Sequence, residues 1–193
     1  MATTYKLTTA NCTGFYGADA NIDPNTLVSG TELTGGDQTN MSADDANYDE
    51  VAAAPWQSPY HHMRYTIGEA EGGVTDLTVT AKGYGWASSL PPSTNYGYYL
   101  YIWNFNLVDW ELLDSHVGSS KATLSGSIVA NWPDYIDGSS FIHTLATGND
   151  DGNNGSKLRT YYTDLVVAAV VAGHPAGRRF GGVPFAKHNW GVW

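Results

Sequence analysis

A single cysteine, Cys12, leaves the 193-residue chain no internal disulfide, so packing alone must hold the fold. Charge is scarce: only 15% of residues are Asp, Glu, Lys or Arg, with nine Lys and Arg against nineteen Asp and Glu. The resulting net charge of -10 argues against general nucleic-acid binding, which needs basic patches to displace counterions from phosphate. Long apolar runs are also missing. The longest, Leu165 to Ala172, falls far short of the ~20 residues that cross a bilayer; it reads as a buried strand, and no membrane partner is expected. Met1-Ala-Thr-Thr-Tyr-Lys-Leu has no basic stretch followed by an apolar one, so the expectation is a chain made without export or one whose signal has been removed. No nucleophile elbow, spaced histidine pair or phosphate-cradling loop occurs, which points away from an enzyme.

What the chain has in quantity is glycine (22), tyrosine (13) and tryptophan (7), a mixture that reads as all-β. Tyr96 to Asn106 is its most distinctive stretch. In an extended strand Tyr98, Leu100 and Ile102 face one way and Tyr99, Tyr101, Trp103 and Phe105 the other, so both faces are apolar. This predicts a central hairpin, with a second strand from Trp110 and the sandwich built outward from it. Upstream, Met63, Tyr65 and Ile67 alternate with polar residues, Glu69 to Gly73 turn the chain, and Leu77, Val79 and Ala81 alternate again, the pattern of a half-buried hairpin. Residues 83 to 95 read as a long loop carrying Tyr84 and Trp86. Further strands are expected over residues 122–128, 140–146 and 157–171, with a short helical turn near Pro133 and a hairpin loop over residues 147–156. Residues 1 to 50 read as one or two edge strands and long loops. Eight or nine strands without a convincing helix fit an antiparallel two-sheet β-sandwich of jelly-roll type over residues 1–172.

Residues 173–193 differ in composition. They carry Arg178, Arg179 and Lys187 and no acid, so this segment is +3 and the rest of the chain -13. Phe180, Phe185, Trp190 and Trp193 are too apolar for a solvated linker, and the segment is expected to dock on a partner surface. Buried aromatics anchor such a contact at roughly 1.5 to 3 kcal/mol each, while Arg178 and Arg179 set register by pairing with carboxylates. A homo-oligomer is expected, a trimer first, the alternative being a tail folded back over its own sheet edge.

Asp44-Asp-Ala-Asn-Tyr-Asp-Glu-Val51, Tyr65-Thr-Ile67, Leu77-Thr-Val-Thr80, Tyr99-Leu-Tyr-Ile-Trp-Asn104 and Trp110-Glu-Leu-Leu-Asp114 resemble the jelly-roll, galactose-binding-like modules of large exported bacterial and archaeal proteins. That resemblance spans residues 40 to 171 and implies fold more than function. Arg178-Arg-Phe-Gly-Gly-Val-Pro-Phe185, ending in Gly191-Val-Trp193, resembles the C-termini of small structural proteins of tailed bacteriophages and prophages. It implies a non-enzymatic virion component on the capsid surface, a decoration or auxiliary protein bound to capsid proteins. The alternative is a carbohydrate-binding module of an exported protein.

For glycans, on a host surface or elsewhere, the candidate contacts are Tyr84 and Trp86, because flat rings cover the apolar faces of sugars. Trp56, Tyr60, Tyr96, Tyr98 and Trp103 belong to the same aromatic set, with core packing the competing reading for Tyr98, Tyr101 and Trp103. Asp19, Asn21 and Asp23, or Asp45, Asn47 and Asp49, place hard oxygens at alternate positions and are candidate calcium ligands; solvated turns share that composition. No other cofactor is indicated. His61 and His62 are adjacent, so on a strand they point to opposite sides and do not share a metal.

Overall fold

The computed structural model describes residues 1–7, 10–20, 26–87, 96–149 and 155–170. Its strands, in chain order, are β1 (Ala2–Lys6), β2 (Cys12–Asp19), β3 (Thr31–Glu32), β4 (Asp49–Ala52), β5 (Ser58–Thr66), β6 (Val74–Ala87), β7 (Tyr98–Asn104), β8 (Asp109–His116), β9 (Ala122–Ile128), β10 (Phe141–Gly148) and β11 (Ser156–Ala169). One short helix, α1 (Gly35–Asn40), precedes β4. The strands form two antiparallel sheets. Sheet A runs β1-β11-β6-β9, with β4 pairing the first half of β11, and sheet B runs β3-β2-β5-β10-β7-β8.

The main core lies between the sheets. Leu77 and Val79 of β6 and Leu158, Leu165 and Val167 of β11 meet Met63 and Tyr65 of β5, Leu100 and Ile102 of β7 and Ile142 of β10, each at most 2% exposed. Burying one such side chain contributes roughly 1.5 to 3 kcal/mol. A polar tie crosses the sandwich near its rim, where His61 is bonded to Thr160 Oγ1 (2.9 Å) and Asp49 Oδ2 (2.8 Å). A second, smaller core sits outside sheet B, with Val28 lying over Tyr60, Trp103, Trp110 and Leu145.

The all-β sandwich expected from the sequence is present, and the pairing differs from expectation in four places. β5 and β6 belong to different sheets, so Glu69–Gly73 carries the chain across the sandwich and does not close a hairpin. Met63, Tyr65, Leu77 and Val79 face one another from opposite sheets, and period-two alternation cannot tell facing strands from paired ones. The same applies to β10 and β11, which join sheet B to sheet A. The β7–β8 hairpin forms, with Trp103 opposite Trp110, but β8 is an edge strand and not the centre. β7 is apolar on both faces because one serves the main core and the other the smaller outer one. Finally, within a region read as edge strands and loops, β1 is the expected edge strand, but β2 is paired on both sides, by β3 and β5, and α1 is a helix.

Residues 83–87 are strand, not loop. Gly83 and Gly85 read as flexible, yet both point into the sandwich at positions too tight for a side chain. A Cβ on Gly83 would lie 2.3 Å from the Arg159 carbonyl oxygen and 2.8 Å from the Tyr98 ring, and one on Gly85 would lie 2.3 Å from the Gly97 carbonyl oxygen. Alternation thus continues through them, and Tyr84 and Trp86 emerge on the outer face of sheet A.

Candidate functional site

On sheet B, β5 directs His62 and Arg64 outward. Register places Phe15 of β2 beside His62 and His143 of β10 beside Arg64. The chain from Thr26 to Gly30 crosses this face as a strap. Trp110 Nε1 donates to the Thr26 carbonyl at 3.2 Å, Tyr60 Oη donates to the Ser29 carbonyl, and Val28 is pressed to 7% exposure. Between strap and sheet lies a cleft of about 290 Å³, walled by Phe15, Leu27, Val28, His62, Arg64 and His143.

The polar groups of the cleft are held by aromatic contacts. His62 stacks between Phe15 (centroids 5.5 Å) and His143 (5.1 Å) and bonds His143 through Nε2 and Nδ1 at 2.8 Å. Burial, the neighbouring His143 and the Arg64 charge push His62 down to about 3. Burial likewise takes His143 down to about 4, with Asp137 pulling the other way and Arg64 adding to the fall. Both rings are therefore neutral at pH 7, each with one N–H and one acceptor nitrogen. Nδ1 of His62, buried beside the Val28 backbone, makes no hydrogen bond of ordinary geometry. The Arg64 guanidinium sits 5.6 Å from the Phe15 ring centre and 5.0 Å from that of Phe141, which fixes it at the cleft wall.

The outer face of sheet A brings the two sequence-predicted glycan residues together. Tyr84 and Trp86 stack at 4.9 Å with planes 20° apart, so each ring spends one face on the other. Arg159 lies 4.9 Å from the Trp86 centre and 4.4 Å from that of Tyr48, and its Nη1 donates to Tyr84 Oη at 2.9 Å. Glu50 binds Arg159 Nε at 2.6 Å and Lys157 Nζ at 2.8 Å; burial pushes its carboxyl up, and the two donors outweigh that and hold it below the usual range. The bulge after Thr160 turns Tyr161 onto the same face, 6.5 Å from Tyr84.

The remaining predicted residues are dispersed. Asp45 and Asn47 form an Asx turn, with Asn47 N donating to Asp45 Oδ1 at 2.7 Å, while the Asp49 carboxylate turns away to His61. Asp19 ends β2, and Asn21 and Asp23 lie outside the described residues. Among the described residues no three His, Cys, Asp or Glu side chains converge as metal ligands. Arg178, Arg179, Phe180, Phe185, Trp190 and Trp193 also lie outside the described residues. His61 and His62 do point to opposite sides, one into the sandwich and one into the cleft. Tyr98 is buried in the main core, Trp103 and Tyr60 lie under the strap, and Trp56 is 60% exposed.

Of the cleft residues, only His62 is weighed from the sequence, as a metal ligand beside His61, and Phe15, Val28, Arg64 and His143 are not singled out. His62 and Arg64 read as the polar side of a half-buried strand, and only strand register sets them against His143.

A profile of the family AF_1625_C, described as uncharacterized protein, C-terminal domain, matches residues 10–169. No curated protein sequence matches. Among solved structures, a xylan-binding module CBM15 is similar at 10% identity and a TM-score of 0.45, over 89% of this chain and 99% of that one. A CBM29-2 mutant complexed with cellulohexaose is similar at 9% identity and a TM-score of 0.29, over 82% and 93%.

Proposed function

The chain belongs to the AF_1625_C family, and since that family's description carries no activity, we propose a function from the chain's own geometry: a non-catalytic glycan-binding module. The observation that carries the reading is the cleft between strap and sheet B, where one aromatic ring, an aliphatic wall, two neutral imidazoles and a guanidinium converge. A sugar presents an apolar face of C–H groups and an equator of hydroxyls, so it needs a ring to lie on and fixed donors and acceptors around it. Phe15 supplies the first and Arg64 and His143 the second, His143 being held in place by its bond to His62. At about 290 Å³ the cleft is at the small end of ligand sites (~300–1,000 Å³), which suits a sugar residue or two.

Among the described residues its walls hold no pair of carboxylates. Acid–base cleavage of a glycosidic bond needs two such groups on either side of the bond, so binding without hydrolysis is the consistent reading. Acids elsewhere serve the fold: Glu69 accepts from Tyr5 Oη, and Glu111 accepts from Asn104 Nδ2 and Tyr135 Oη. The virion role expected from the tail rests on residues 173–193, which lie outside the described residues, and the comparisons do not support it.

Titration calorimetry against neutral and acidic oligosaccharides tests the reading. Phe15→Ala is expected to weaken binding tenfold or more, about 1.4 kcal/mol, and Trp86→Ala to leave it within twofold. Loss of binding in Trp86→Ala with Phe15→Ala unaffected would move the site to sheet A, and an absence of glycan binding altogether would refute it.

A further inference from the structure

Arg64 stands out in a chain with nineteen acids and nine bases. The ion pairs among the described residues engage Lys82, Lys157, Arg159 and His61, and none engages Arg64. Asp137, the acid whose field reaches His143, accepts at Oδ1 from the backbone amides of Ser139 (2.8 Å) and Phe141 (2.7 Å). The guanidinium is thus positioned by Phe15 and Phe141, without a carboxylate among the described residues, on the wall of the cleft described above.

We propose that the cleft takes a sugar bearing a carboxylate, a uronic acid residue, with Arg64 gripping the carboxylate and His143 meeting a ring hydroxyl. The proposal rests on the glycan-binding reading and names its ligand class. A planar carboxylate matches the two parallel N–H groups of a guanidinium, and a half-buried pair of this kind is stronger than a neutral hydrogen bond. The charge count favours a monoanion: the cleft holds one cation with no ion pair among the described residues, and a protein of -10 repels a ligand carrying more charge than that cation neutralises. A neutral imidazole suits hydroxyls, which donate and accept, and with Nδ1 of His143 joined to His62 its other ring nitrogen is left to meet one. Phe15 then covers the apolar face of the same ring.

The test compares a trisaccharide carrying a single galacturonic acid residue with its methyl ester and with the trisaccharide in which galactose replaces that residue, by calorimetry on the full chain. The ester keeps the ring and its stereochemistry and removes the charge, so the comparison needs no variant. The acid should bind at least tenfold more tightly than the ester or the galactose form. Arg64→Met should bring all three within twofold of one another, and Arg64→Lys should restore part of the preference, with unchanged melting confirming that the variants fold. Equal binding of acid and ester by the wild-type chain, or a preference that survives in Arg64→Met, would overturn the proposal. Binding of the neutral sugar alone would overturn it and leave the glycan-binding reading standing, whereas no binding by any oligosaccharide would remove both.

Discussion

His62 and His143 stay neutral at pH values where an unburied histidine has taken up its proton, and this links the site to stability. An unfolded histidine protonates near ~6.5, while burial holds the folded side chains at about 3 and about 4. Below pH ~6.5 the unfolded chain therefore binds protons that the folded chain refuses. Stability is complete above that pH and is lost as pH falls toward 4, by up to ~1.4 kcal/mol per pH unit for each histidine. Urea unfolding at pH 7.5, 6 and 5 should show the decline, and His143→Gln should make it shallower; a free energy constant to pH 5 would contradict the burial of the pair. Gly85 and Gly72 make a second residue-scale contrast. Gly85→Ala drives a Cβ into the backbone of Gly97 and Gly148 and should cost about 2 kcal/mol or more. Gly72→Ala meets nothing within 4 Å and should be neutral or stabilise by up to about 1 kcal/mol. Thermal melting of the two variants checks the pair.

Among the elements, the strap Thr26–Gly30 does the most to form the cleft, because without it the outer face of sheet B would be a flat aromatic surface. It holds no secondary structure, and its attachment depends on the burial of Val28, the Trp110 bond to Thr26 and the Tyr60 bond to Ser29. Val28→Ala removes two buried methyl groups, about 1.6 kcal/mol at ~0.8 kcal/mol each. Amide exchange over residues 28–30 should accelerate in this variant while β5 and β10 remain protected, and oligosaccharide binding should weaken with it. Equal protection of the strap in variant and wild type would show that Val28 is not what holds it down. Strand β6 is the element most misread from sequence: its glycines serve close packing against Tyr98 and Gly97, and its outward residues Tyr84 and Trp86 stand on a sheet.

At the scale of the whole molecule, both hydrophobic cores among the described residues close within residues 5–167. A chain ending at residue 172 should therefore melt within a few degrees of the full chain. A larger fall would mean that the tail covers a sheet edge in cis. Sedimentation of both chains tests the other expectation, a trimer held by residues 173–193, which requires the shorter chain to lose self-association. Alternation and the count of strands without a helix pointed to a sandwich: the inward sets of β5 and β6 are legible because a half-buried strand must place apolar residues at every second position. Composition likewise fixed the acidic charge and excluded a disulfide framework. The sequence did not disclose which strand lies beside which. Met63 and Leu77 show the same local pattern whether their strands pair or face each other, since pairing depends on register set across the whole chain. Phe15, Val28, His62, Arg64 and His143 lie up to 128 positions apart, and each reads as an ordinary strand or loop residue. Only tertiary structure, by laying the strap over sheet B and setting β2, β5 and β10 side by side, turns them into a cleft.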